Sequence, residues 1–163
     1  MASNGGLRAA IAKVLNKGLE EEAYKPPEKR TWAEKVTDEN NAWIAARRLE
    51  MEDELQEAAH EYARDAEIWL DLGHEARAAL SLTCEARCMK KLGIDGTVGY
   101  KRAGELYEKA GWRSMRKNPH EALQLFERAR ECYGLAGERR GEAKAVKLCD
   151  SLAATLHTSA GNR

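Results

Sequence analysis

Tyr100 to Ala136 reads YKRAGELYEKAGWRSMRKNPHEALQLFERARECYGLA, and one helical signature occurs in it twice. Ala103, Tyr107 and Ala110 form the first copy, and Ala122, Phe126 and Ala129 the second. A small residue, a ring four places on and a small residue three places further lie on one face of an α-helix. The small side chains admit a neighbouring helix at close range, and the ring fills the groove between two backbones. The stretch therefore predicts helices built to stack on other helices. It carries no reactive constellation, so the first thing it specifies is an architecture.

Working outward, the same kind of seam recurs in both directions. Asn118 and Pro119 give a cap and a first-turn proline for a helix that extends to about Ala136 and is closed by Gly137. Before it, a helix runs from Thr97 to Lys117, with Gly111 as its weak point, where a bend or stop is expected. His74 to Leu92 shows two seams, Ala79, Leu82, Ala86 and Met89 beside Leu80, Cys84, Cys88 and Leu92. An apolar arc that wide predicts a helix covered from more than one side. Leu55, Ala59, Tyr62, Ala66 and Trp69 form a regular seam that starts near Asp53 and Gln56 and ends at Gly73. Thr31 and Glu34 make a capping box for a helix to about Met51, with a break at the polar run Thr37 to Asn41 as one alternative and an unbroken rod from Thr31 to Leu72 as another. Downstream, Glu138 to about His157 places Ala143, Val146, Cys149, Ala153 and Leu156 in a seam, followed by a tail from Ser159 to Arg163. Upstream, Leu7 to Glu20 reads as a short amphipathic helix, either a cap or a detachable arm. Pro26 and Pro27 interrupt the link from Glu21 to Arg30. The organisation expected is an arm and linker over 1–30, a helical domain over 31–158 and a flexible tail over 159–163.

Composition agrees with an all-helical chain: 163 residues hold only three prolines and one phenylalanine. The 27 basic and 27 acidic residues balance, so no global field draws the chain to nucleic acid or an anionic membrane, although a local patch is left open. No apolar run is long enough to cross a bilayer, so no integral membrane segment is expected. The start MASNGGLRAA lacks a hydrophobic signal region, which points to a cytoplasmic location. In that compartment Cys84, Cys88, Cys132 and Cys149, all on apolar faces, are expected as buried free thiols. His60, His74, His120 and His157 each stand without a nucleophile or carboxylate at a catalytic spacing. Glu57 and His60 have the Glu-x-x-His form of a carboxylate metal site, but no second helix repeats it. Neither enzymatic activity, cofactor nor metal is expected.

Ala58, Ala79, Ala103, Ala122 and Ala143 recur at steps of about twenty, so two successive helices form a unit of about forty residues. Lys117 to Ala129, KNPHEALQLFERA, resembles the second helix of a tetratricopeptide repeat, with Glu121, Ala122, Phe126 and Ala129 in its acidic, small, aromatic and small places. Leu55 to Ala66 and Tyr100 to Ala110 resemble it more loosely. The run EYARDAEIWLDLGHEARAAL, together with LYEKAG and CYGLAG, is similar to the longer-helix relatives typified by the soluble NSF attachment proteins. The resemblance covers roughly residues 40 to 155. It implies an all-α, right-handed stack of antiparallel helical hairpins, an α-solenoid of about seven helices. Whether the Thr97 helix closes one hairpin or opens the next is left open by the pattern.

The resemblance further implies a groove that holds a peptide or helix of another protein, as in an adaptor or chaperone-like scaffold. Two basic clusters are the candidate partner-binding residues. Lys109, Arg113, Arg116 and Lys117 share a helical face near Trp112, and Arg47 and Arg48 join Arg87, Lys90 and Lys91 as a second group. The plainer reading of the first group is charge that complements a helix C-terminus, and that of the second is a solvated surface. Two other classes stand beside this reading: a self-assembling structural protein, with homo-oligomers as its product, and a helical-bundle metal protein or enzyme.

Overall fold

The computed structural model describes residues 31–161. The chain divides between Thr31 and Trp32, and the unit that begins at Trp32 is described below. The expected helix at 7–20 and the proline-containing link lie outside the described residues. So do the Trp32 and Val36 side chains.

Six helices follow one another with no strand among the described residues: α1 (Trp32–Met51), α2 (Leu55–Asp71), α3 (Glu75–Lys91), α4 (Thr97–Ser114), α5 (Pro119–Leu135) and α6 (Arg139–Gly161). Each packs chiefly on the next in the chain, as short connections require of antiparallel neighbours. Four of the five turns use one device. Gly73, Gly93 and Gly137 adopt positive φ of 77°, 75° and 68°. The residue after each returns its amide to the preceding helix, as in His74 N–H to the Trp69 carbonyl at 2.9 Å and Ile94 N–H to the Met89 carbonyl at 2.9 Å. Left-handed backbone satisfies the last carbonyls of the helix this way, and glycine adopts it without a Cβ clash. The fourth such turn carries Asp53 at φ 65°, with the Glu54 amide returned to Leu49 at 2.9 Å. Asp53 is thus the left-handed residue that ends α1 rather than a cap that opens α2. The fifth turn ends at Asn118, whose side-chain oxygen accepts from the Glu121 amide at 3.1 Å, with Pro119 in the first turn as the sequence predicts.

Neighbours in the chain enclose the core, and helices two apart also meet. Arg87 of α3 reaches Glu50 of α1 at 2.9 Å, and Arg102 of α4 reaches Glu67 of α2 at 3.1 Å. Thr83 of α3 lies 3.6 Å from the Cys132 sulfur of α5, and Lys144 of α6 pairs with Glu108 of α4. Odd helices touch odd and even touch even. The largest core cluster runs from Ala66 and Ala79 through Ala103, Tyr107 and Ala129 to Ala145, so apolar burial is continuous from α2 to α6. Ala46, Ala58, Tyr62, Cys84 and Cys88 fill the α1–α3 side. Both aromatic signatures are buried: Tyr107 is 2% exposed and Phe126 is 0%, beside fully buried Ala103, Ala122 and Ala129.

Several expectations are corrected. The polar run Thr37 to Asn41 does not interrupt α1, and the rod from Thr31 to Leu72 is broken at 52–54. Gly111 does not end α4, which runs on to Ser114. It is buried because the Phe126 ring lies on it. In α3, Leu80 and Leu92 of the second expected seam are exposed, while Cys84 and Cys88 are buried. In α6 the fully buried alanine is Ala145, and Ala143 faces outward. The cause is local: the Tyr133 ring sits 2.7 Å from where a Cβ on Gly141 would stand, which turns the Gly141 and Ala145 side of the helix inward. Helix α6 continues past the expected end near His157, through Ser159 and Ala160, to Gly161.

Candidate interaction surface

The two basic clusters of the sequence separate into different environments. Arg87 donates to Glu50 at 2.9–3.2 Å, Lys91 joins at 3.3 Å, and the Tyr62 hydroxyl donates to the same carboxylate at 2.8 Å. Burial works to raise the Glu50 carboxyl, yet the Tyr62 hydroxyl, the Arg87 guanidinium and Lys91 outweigh it and hold the group below the ordinary carboxylate range. Lys109 and Arg113 of α4 do the same to Glu75 of α3, at 3.2 and 2.6 Å. Burial again opposes, and the hydrogen bonds and charges of the site prevail. A third carboxylate, Glu108, accepts from Tyr133 at 3.1 Å and from the Trp112 ring nitrogen at 3.4 Å, besides its pair with Lys144. Its carboxyl is lowered against the push of burial, by Lys144 first. Four of the expected binding cations therefore tie helices together.

The rest remain on the surface. Trp112 is 49% exposed, edge-on to Phe126 with centroids 5.5 Å apart. Arg116 and Lys117 are exposed at the α4–α5 turn, and Lys90 is exposed near the end of α3. Arg47 and Arg48 are exposed on α1, where they line an open hollow of about 570 Å³ with Trp43, Ile44, Met51 and Glu52. Ile44 is 56% exposed and Met51 is 83% exposed. Their spacing of seven, with the arginines between, puts aliphatic and cationic surface on one strip of helix. The sequence reading named the arginines and missed the two aliphatic residues, which a seam search discards because they fall outside the seam.

A second groove of about 320 Å³ crosses α2, α3 and α4, lined by His60, Arg64, Glu67, Leu82, Glu85 and Arg102 among others. Desolvation raises the Glu85 carboxyl above its ordinary range, with Arg102 opposing and Glu67 adding to the shift.

All four cysteines are free and buried, and burial pushes each thiol up. The His74 ring stands edge-on to Trp69 at 5.2 Å, in a packing role. Buried Asp65 accepts from the Ser81 hydroxyl, a link between α2 and α3. Among the described residues no cluster of His, Cys, Asp or Glu is placed to hold a metal, and no helix is long and apolar enough to cross a membrane. No protein-family model, curated protein or solved structure matches the chain.

Proposed function

We propose that the chain is a non-enzymatic protein-interaction module, an adaptor or chaperone-like scaffold of stacked helical hairpins. The alternating contacts, odd helix to odd and even to even, support a two-layer solenoid of the kind that tetratricopeptide-repeat and soluble NSF attachment proteins build. In such a stack each hairpin buries its apolar face on the next and leaves its outer surface for a partner. The observation that carries the reading is the exposure of Ile44 and Met51 beside Arg47 and Arg48 on α1. The ligand that fits this strip is a helix or peptide with aliphatic anchors and acidic neighbours, because each side of the strip then meets its complement.

The test is affinity capture from the native cell with the full chain, its Ile44→Asp/Met51→Asp variant and its Arg47→Glu/Arg48→Glu variant, bound proteins being identified by mass spectrometry. A partner retained by the wild-type chain and reduced about tenfold or more by both variants supports the surface. A partner set unaffected by either removes it. A purified chain that forms a stable homo-oligomer, dissociated by Ile44→Asp, would instead favour self-assembly.

A further inference from the structure

Three partly buried carboxylates in this protein are met by cations from neighbouring helices. Arg87 and Lys91 of α3 close on Glu50 of α1, Lys109 and Arg113 of α4 on Glu75 of α3, and Lys144 of α6 on Glu108 of α4. Glu85 of α3 is also partly buried and desolvated. No hydrogen bond or ion pair from the described residues reaches its carboxylate.

The reason lies in where the nearby cations go. Glu85 stands in the groove of about 320 Å³ that crosses α2, α3 and α4. Two arginines line that groove, and each is held by another carboxylate: Arg102 by Glu67 at 3.1 Å and Arg64 by Glu61 at 3.1 Å. Arg102 and Glu67 are the charges that act on Glu85, one favouring its ionised form and the other opposing it, so the pair leaves it uncompensated. Other cations of α3 and α4 are committed elsewhere, Arg87 to Glu50, Lys101 to Glu138 and Lys109 to Glu75.

The surroundings select a positive visitor. Helix α2 carries Glu57, Glu61, Asp65, Glu67 and Asp71 against Arg64 alone, so this side of the protein is acidic. Leu82 and Ala63 line the groove with apolar surface, which suits the stem of a long charged side chain. An open hollow of about 570 Å³ along α2, lined by Leu49, Gln56 and Glu57, meets the groove at His60, so a chain segment has room to continue. Arginine fits the place better than lysine, because its planar guanidinium spans both oxygens of a carboxylate and is more weakly hydrated. Arg87 displays that geometry within the same fold, with Nε and Nη2 at 3.2 and 2.9 Å from the Glu50 oxygens.

We propose that the groove between α2 and α4 receives an arginine side chain of a partner protein, its guanidinium on Glu85 and its stem along Leu82 and Ala63. This rests on the reading of the chain as a protein-interaction module and gives that module a second contact, opposite in sign to the α1 strip. A carboxylate left unpaired in the free protein is a liability there and a source of selectivity in the complex, since a neutral side chain would bury it without a partner.

Panning of a displayed library of random short peptides on the full chain tests this, the selected sequences being remade synthetically and their affinities read by fluorescence anisotropy. A basic class is expected in which changing one arginine to citrulline weakens binding about tenfold or more, and changing it to lysine weakens it less. Glu85→Gln is expected to lose the same tenfold while melting no lower than the wild type, so lost binding is not lost folding. The two changes together are expected to cost no more than either alone, the sign of direct contact, which a merely structural role for Glu85 would not give. Ile44→Asp/Met51→Asp is expected to keep this class and to lose any acidic class that depends on the α1 strip, so the failure of either surface is read separately. The proposal falls if no arginine-dependent class is selected, or if such a class binds the Glu85→Gln variant as well as the wild type. A class that depends on Arg102 and on an acidic peptide residue would assign the groove to an anion and overturn it as well.

Discussion

Gly111 of α4 and Phe126 of α5 approach so closely that a Cβ built on the glycine would stand 2.7 Å from the ring. Trp112 meets the same ring edge-on, with 5.5 Å between centroids. Phe126 is fully buried, so the ring can yield only by shifting against its core neighbours. Two effects compete in Gly111→Ala. Alanine gains about 1 kcal/mol over glycine in a helix interior, while overpacking a filled contact costs about 1–3 kcal/mol. Overpacking is expected to win, with a net loss of about 1 kcal/mol and a melting temperature lower by a few degrees. Melting that is unchanged or raised would show that the α4–α5 contact can open, and the two aromatic signatures would not be locked together as described.

The left-handed turn residues make a second test, because two of them should respond with opposite sign. Asp53 holds φ 65° with a Cβ present, and Gly73 holds φ 77° without one. Asp53→Gly relieves strain at the cost of extra freedom in the unfolded chain, for a net gain of about 0.5–1 kcal/mol. Gly73→Ala meets no neighbouring atom, so its loss of about 1 kcal/mol comes from the backbone alone. Denaturant unfolding of the two variants checks this. An Asp53→Gly variant no more stable than wild type would mean that the aspartate side chain contributes something in that turn which glycine lacks.

How much of this was legible in the sequence depends on how far apart the interacting residues lie. The helix ends at Gly73, Gly93 and Gly137 and the start at Asn118–Pro119 are local chemistry and could be read directly. The Ala–ring–Ala seams could be read too, because one helix face is set by spacing alone. Ala143 against Ala145 could not. The rotation of α6 is set by Gly141 lying on the Tyr133 ring of another helix, and both alanines are equally apolar. Asp53 was recognised as a boundary but given the wrong role, since an aspartate before a helix is more often a cap than a left-handed residue. At the candidate surface, Arg47 and Arg48 were found as an exposed pair. That Arg87 with Lys91 and Lys109 with Arg113 close on Glu50 and Glu75 was hidden, because each carboxylate comes from a different helix and only stacking selects the partner.

Those carboxylates give the stack a defined response to acid. Glu50, Glu75 and Glu108 each have folded-state values below the ordinary range, because their cationic and hydroxyl partners outweigh burial. A group lowered on folding contributes stability that is present above its unfolded value and is lost as pH falls through its folded one. Stability is therefore expected to be full at neutral pH and to decline as pH drops below about 4.5, where unfolded glutamates take up protons before the folded ones do. Glu85 runs the other way. Its carboxyl is raised first by desolvation, so keeping it charged at neutral pH costs stability, and that cost disappears once it is protonated. Glu85→Gln is thus expected to raise the melting temperature at pH 7 and to make little difference in acid. Glu50→Gln and Glu75→Gln are expected to lower it at pH 7 and to flatten the acid decline, since the neutral side chain no longer titrates. Thermal melts of the wild type and these variants from pH 7 down to about 3 measure both signs at once. A wild-type curve that does not fall in acid, or a Glu50→Gln variant with the wild-type slope, would mean that these carboxylates do not hold α1 to α3 and α3 to α4.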